Sequence, residues 1–161
     1  MTSFAERTLT GADFRAFMRA WPTGVAVVTS TAGPEPVGCT VNTFTSVSLC
    51  PPLLLISLAR HSGTLAAITR RESFGVNVIG FADRQLATRF ATGGDRFAGV
   101  SWRARLGIPV LDAAMAAVVC DVHQVVEVAD HVLVIGRPRW CDRRDGGDPL
   151  VFFDADHHRL G

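Results

Sequence analysis

The sequence has no lysine and no tyrosine; all 16 of its basic residues are arginine. Set against 15 acidic residues, they leave a formal net charge of +1 at pH 7. So small a balance gives no electrostatic footprint for nucleic acid or an anionic membrane surface. Charge of either sign is scarce, at 19% of residues against roughly 25% in an average soluble protein. Long apolar runs are missing too. Pro51 to Ala59 reaches about half of the ~18 residues a membrane span needs, and proline and serine interrupt it. Met1 to Arg7 has no apolar core of an export signal, so a cytoplasmic protein is expected. Disorder is excluded by a mean hydropathy of +0.25 and an apolar content of 48%. A length of 161 residues suits one domain, expected to span the whole chain with its core over about 14–160.

Familiar chemical signatures are absent as well. The four cysteines, Cys39, Cys50, Cys120 and Cys141, form no C-x-x-C pair, so neither a zinc site nor a redox dithiol has local support. Three of them sit in apolar, strand-like runs and are expected to be buried thiols. There is no G-x-G-x-x-G and no G-x-x-x-x-G-K-[ST], which removes Rossmann and Walker phosphate sites. There is no G-x-S-x-G elbow and no H-E-x-x-H. His123 and His131 lack the carboxylate or cysteine spacing of a metal site, and none is expected.

What remains is a pattern of strands with a few short helices. Thr10 and Asp13 form a capping pair, and Phe14, Phe17, Met18 and Trp21 follow as one apolar helical stripe ended by Pro22. Val25 to Thr29 is a β-branched strand, and Gly33 to Pro36 a turn. Val37 to Leu58 reads as strand, a break at Pro51-Pro52, and a buried strand from Leu53. Gly63 to Arg71 and Asp83 to Phe90 read as helices, with Leu86, Ala87 and Phe90 on one face. Phe74 to Ile79 is another buried strand. Gly93 to Gly107 reads as irregular, anchored by Phe97 and Trp102. Ala116 to Val128 and His131 to Cys141 are long strands around an Ala129-Asp130 turn. A polar loop from Arg143 to Asp148 precedes a last strand, Leu150 to Phe153, and His157-His158 reads as a solvated end. The fold class is mainly β, a closed or nearly closed barrel with helical additions.

Two clusters carry possible chemistry. Val37 to Ser48 reads as a strand, and one of its faces carries Gly38, Thr40, Asn42, Phe44, Ser46 and Ser48. That face is small and rich in hydrogen-bonding groups, inside an otherwise apolar chain. It is either a solvated face or the wall of a ligand rich in donors and acceptors, with Gly38 admitting a flat ring or a phosphate. The second cluster is Ser57, Arg60, His61, Ser62 and Thr64. Ser62 and Thr64 stand where a helix begins, which suits an anion, and Arg60 adds a fixed charge. A plain helix cap with a surface arginine explains the same residues.

The segments Pro22-Thr23-Gly24-Val25-Ala26-Val27-Val28-Thr29, Gly38 to Leu53, and Ala129-Asp130-His131 ending at Gly136 resemble the short-chain flavin reductases. Arg89-Phe90-Ala91, Asp95-Arg96-Phe97-Ala98-Gly99-Val100, Gly107-Ile108-Pro109-Val110-Leu111 and Pro149-Leu150-Val151-Phe152-Phe153 continue the likeness in register from about Phe14 to Leu160. The resemblance implies an FMN-binding split β-barrel, Greek-key-like, with short peripheral helices, and usually a homodimer. It implies NADH- or NADPH-dependent reduction of FMN or FAD, the reduced flavin passing to a partner flavin-dependent monooxygenase. Carried over by position, Gly38, Thr40, Asn42, Thr43, Ser46 and Ser48 would line the ring and ribityl chain. Ser57, Arg60, Ser62 and Thr64 would hold the phosphate end, Phe90 would flank the flavin, and His131 would lie beside the nicotinamide. Ala129 stands where the family usually has glycine.

Such chemistry needs no side-chain acid, base or nucleophile, in keeping with the absent motifs. A non-enzymatic flavin carrier on the same fold is the alternative, and a relative of the pyridoxamine-phosphate oxidases a third. The surplus of apolar residues is expected to cover a flavin site and a dimer interface.

Overall fold

The computed structural model describes residues 8–160. Met1 to Arg7, read above for an export signal, and Gly161 lie outside the described residues. In chain order the elements are α1 (Gly11–Met18), β1 (Thr23–Gly24), β2 (Ala26–Ala32), β3 (Glu35–Val41), β4 (Phe44–Leu49), β5 (Pro52–Ala59), α2 (Gly63–Arg71), β6 (Ser73–Val78), α3 (Arg84–Ala91), β7 (Trp102–Arg105), β8 (Ile108–Leu111), β9 (Ala116–Val128), β10 (His131–Arg143), β11 (Leu150–Phe153) and β12 (Asp156–Arg159). A single 3₁₀ turn, Phe81–Asp83, leads into α3.

Short turns dictate most of the sheet. Gly33-Pro34 folds β3 back on β2, Cys50-Pro51 folds β5 back on β4, and Ala129-Asp130 folds β10 back on β9. The resulting seven-stranded antiparallel sheet has the order β3-β2-β6-β9-β10-β5-β4. Its two edge strands, β3 and β4, are neighbours in the chain, separated only by Asn42 and Thr43. A flat sheet would hold these edges six strand spacings apart, nearly 30 Å at about 4.8 Å per spacing. The sheet therefore curls until its edges meet at that corner. Val41 of β3 accordingly packs in the same core as Leu54, Ile56 and Leu58 of β5. Phe74, Val76, Cys120, Val132 and Val134 fill the rest of that interior, and Leu65 and Ile68 of α2 pack against it.

A second core lies on the outer face, under α3 and the chain after it. Val25, Val27, Ile79, Phe90, Leu111 and Leu150 are its centre. Because β2 alternates Ala26 and Val28 into one core with Val27 into the other, it is buried on both faces. The two-stranded β7–β8 hairpin is pinned to this outer face by a buried polar knot. Asn77 donates to the Val27 carbonyl at 3.0 Å and to the Thr29 hydroxyl at 3.2 Å, and its Oδ1 accepts from the Leu111 N–H at 2.8 Å. Thr29 donates in turn to the Pro109 carbonyl at 2.6 Å. Both residues are fully buried, and each group left unpaired there would cost about 1–3 kcal/mol.

Helix α1 keeps the Thr10–Asp13 capping box and ends at Met18, short of Pro22. None of its residues is buried, so Phe14, Phe17, Met18 and Trp21 present their apolar stripe outward. Four sequence expectations change. The run from Val37 to Ser48 is not one strand: it breaks at Asn42-Thr43, and its halves lie on opposite edges of the sheet. The segment after Gly93 is not wholly irregular, because Trp102–Arg105 pairs with Ile108–Leu111. His157-His158 is no loose end, since β12 pairs with β11. Of the four free cysteines only Cys120 is fully buried; Cys39 is half-buried, and Cys50 and Cys141 are exposed. No described helix is long and apolar enough to cross a membrane.

Candidate functional site

Strand β3 has a free edge, and a cleft opens at each end of it. The first, of about 500 Å³, lies where Val37 and Gly38 meet the start of α2, and Gly63, Thr64, Asp95 and Arg96 line it. Ser62 is the N-cap of α2, its hydroxyl accepting from the Leu65 N–H at 3.4 Å. The N–H groups of Gly63 and Thr64 stay without intrahelical partners, as at any helix start. Arg96 faces them from the loop after α3. Its Nε donates to the Thr92 carbonyl and its Nη1 to the Gly38 carbonyl, both at 2.7 Å. These bonds fix the guanidinium and leave Nη2 for a ligand. A fixed guanidinium beside two free N–H groups at a helix N-terminus suits a phosphate. The Cys39 thiol lies within hydrogen-bonding reach of Thr64 and Ser62, and burial pushes its pKa up, so it adds no charge to the cleft.

The second cleft, of about 420 Å³, is walled by Thr40 and Asn42, by Ala87 and Thr88 of α3, and by Phe152 and His157 of the β11–β12 hairpin. Thr40 spends its hydroxyl on the Ala87 carbonyl at 2.5 Å. Asn42 is exposed and makes no side-chain hydrogen bond among the described residues. Four residues of strand separate Gly38 from Asn42, roughly 13 Å at about 3.3 Å per residue.

Across the corner, the Thr43 hydroxyl donates to the Ser57 carbonyl at 2.7 Å and accepts from the Ser57 N–H at 3.3 Å. It thus ties the start of β4 to β5. Ser46 and Ser48 lie further along β4, on either side of a register shift in its pairing with β5. Their side chains make no hydrogen bond among the described residues. As β4 is an edge strand, its outward N–H groups are unpaired as well.

Two proposed side-chain contacts are placed elsewhere, and the reason for Gly38 changes. Phe90 is fully buried, stacked edge-on against Phe97 at 4.9 Å, and has no face to offer a ligand. Gly38 is small for the same reason: a Cβ there would stand 2.8 Å from the Val28 carbonyl oxygen and 3.1 Å from the Phe90 ring. The glycine admits a core side chain, not a ligand ring. Arg60 turns away from the start of α2. It pairs with Glu127 at 2.8 Å and donates to the Ala129 carbonyl at 2.9 Å. The arginine facing the phosphate-shaped cleft is Arg96, to which the residue pattern gave no role. Its signal was the Asp95-Arg96-Phe97 segment.

His131 opens β10, beside Ala59 of β5. Its Nδ1 lies 2.9 Å from the Asp130 carboxylate. That hydrogen bond holds Asp130 below the usual carboxylate range. The segment 57–64 thus touches all three regions: Thr43 through Ser57, the His131 turn through Arg60, and the first cleft through Thr64.

A mainly β chain whose curled antiparallel sheet is split at a two-residue corner has the split-barrel fold of the flavin reductases. Residues 18–161 match the family model described as the flavin reductase like domain, and the chain belongs to that family. It is 38% identical over 154 residues to an NADH:FMN oxidoreductase of Rhodococcus erythropolis, covering 91% of this chain and 80% of that one. It is 43% identical over 122 residues to a stachydrine N-demethylase reductase subunit of Rhizobium meliloti. That match covers 73% of this chain and 53% of the relative, so the chain spans about half the relative's length. The solved flavin reductase of the styrene monooxygenase from Pseudomonas putida S12 superposes with a TM-score of 0.86 at 32% identity, covering 92% of this chain and 97% of that one.

Proposed function

We propose that the protein is a cytoplasmic NADH- or NADPH-dependent flavin reductase that reduces FMN or FAD and passes reduced flavin to a partner monooxygenase. The observation that carries this reading is the anion cradle of Arg96 and the α2 N-terminus, set beside the free edge of β3. A bound flavin and nicotinamide would supply the hydride-transfer chemistry, and the residues of this chain would hold them.

The chain supplies placement. Arg96 and the Gly63 and Thr64 N–H groups hold the phosphate, with Ser62 shaping the helix start. Asn42, Ser46 and Ser48, with the unpaired N–H groups of β4, would hold the polar edge of the ring and would stabilise negative charge there. Thr43 and Ser57 fix the corner from which β4 departs. His131 holds the nicotinamide and transfers no proton.

A homodimer completes the molecule. Phe44, Val47 and Leu49 lie exposed on an unpaired edge strand, and an apolar edge left open invites another chain. The likeness to a styrene monooxygenase's flavin reductase supports an oxygenase as recipient. The decisive assay follows absorbance at 340 nm with each pairing of NADH or NADPH with FMN or FAD. Turnover with at least one pairing is expected. Bound flavin with no oxidation of either nicotinamide would overturn the reading in favour of a carrier. Arg96→Ala is expected to weaken FMN binding about tenfold while riboflavin binding stays the same, the loss of one charge-assisted contact to phosphate.

A further inference from the structure

Arg60 makes three hydrogen bonds, two to the turn that precedes His131 and one to the end of β9. Its backbone N–H donates to the Asp130 carbonyl at 3.0 Å. Its Nη2 donates to the Ala129 carbonyl at 2.9 Å, and its Nη1 to Glu127 at 2.8 Å. The turn has only two residues between the paired Val128 and His131. Ala129 sits there at φ +50°, in the left-handed region where a Cβ crowds its own backbone. The turn is strained at Ala129, and the carbonyl that Arg60 grips belongs to that residue. On its far side Asp130 accepts from His131 Nδ1 at 2.9 Å. A carboxylate only accepts, so a ring proton sits on Nδ1 and Nε2 is left free of this contact.

We infer that Arg60 is a positioning residue: it holds the strained Ala129–Asp130 turn in place and thereby orients the His131 ring toward the nicotinamide. This rests on the reading that His131 meets the nicotinamide. It gives Arg60 a role distinct from the phosphate contact expected of it. A bidentate fork is required, because one guanidinium spans a carboxylate on β9 and a carbonyl in the turn.

The experiment compares Arg60→Gln, Ala129→Gly, the double variant and His131→Ala. For each, steady-state constants, FMN and riboflavin affinities and the His131 ring NMR signal in the nicotinamide-free protein are measured. Arg60→Gln is expected to raise the nicotinamide KM about tenfold, with flavin affinity held within about twofold, as one charge-assisted bond is lost. The His131 ring signal should shift in the same variant. Glycine accepts the left-handed conformation without strain, so Ala129→Gly should restore most of the KM and the ring signal to Arg60→Gln. On the His131→Ala background, Arg60→Gln should have no further effect on KM. An unchanged KM and ring signal in Arg60→Gln overturns the inference. So does a loss of FMN affinity with riboflavin affinity intact, which would make Arg60 a phosphate ligand. A normal nicotinamide KM in His131→Ala would defeat the nicotinamide reading instead, and the ring signal would still decide whether Arg60 sets His131.

Discussion

Strands β2 and β4 belong to one sheet and draw on the same residue types, yet they meet opposite fates. The first five residues of β2, Ala26 to Ser30, are all buried, whereas no residue of β4 is. The cause is position in the sheet. β2 lies between β3 and β6 with a core on each face, while β4 is a terminal strand. Position also decides what the hydroxyls do. In β2, Thr29 is bound to the Pro109 carbonyl and Ser30 to the Ser73 carbonyl at 2.9 Å. In β4, Ser46 and Ser48 have no partner among the described residues. The enclosed hydroxyls of β2 are structural, and those of Ser46 and Ser48 on the terminal strand are left available to a ligand.

The strongest way to break this contrast is at the knot that β2 feeds. Asn77→Ala should cost about 3–4 kcal/mol in urea unfolding, because it removes three buried hydrogen bonds and strands the Leu111 N–H. A cost under about 1 kcal/mol would mean that the enclosed polar groups matter little. Next comes the exposed edge. Leu49→Arg should weaken the proposed dimer about a hundredfold, as an exposed apolar side chain assigned to its interface becomes a charge. Light scattering across a dilution series reads the shift, and an unchanged dimer would place the interface elsewhere. Thr29→Val keeps the shape but leaves the Pro109 carbonyl unpaired, for a smaller expected loss of about 1–2 kcal/mol in thermal unfolding. The mildest change sharpens the contrast from the other side. Ser46→Ala and Ser48→Ala should each alter stability by less than about 0.5 kcal/mol, yet weaken flavin binding about fivefold in fluorescence titration. If they destabilise the fold as Thr29→Val does, the β4 hydroxyls are structural after all.

Much of this was legible in the residues. The Thr10–Asp13 cap, the buried strands around Val27, Ile56 and Val76, and the long hairpin turning at Ala129-Asp130 all follow from local pattern. The break at Asn42-Thr43 does not. Alternation runs straight through it, with no glycine or proline to mark it, because it is imposed by sheet order and not by local preference. β7 and β12 escaped for a related reason: Trp102–Arg105 is exposed at every position and Asp156–Arg159 is polar throughout, so neither alternates. At the site, Ser62 and Thr64 were readable as a helix start. Arg96 was not, since it lies in a polar, glycine-rich loop that looks solvated. Arg60 misled through its nearness in sequence to Ser62; the β5–β10 register gives it to the other neighbour. Phe90 is a case where helical spacing, which put it on the core face with Leu86 and Ala87, was the better guide than family position.

The corner at Asn42-Thr43 also bears on how the barrel assembles. The β2–β3 and β4–β5 hairpins are local in the chain and can form early, before any distant contact is made. They must then open like the covers of a book, since β3 and β4 never pair with each other. The sheet β6-β9-β10 becomes the spine between them. Because two residues join the covers, bringing the last edges together adds almost no loop-closure entropy. The seam that divides the barrel is thus the connection that costs the chain least to close.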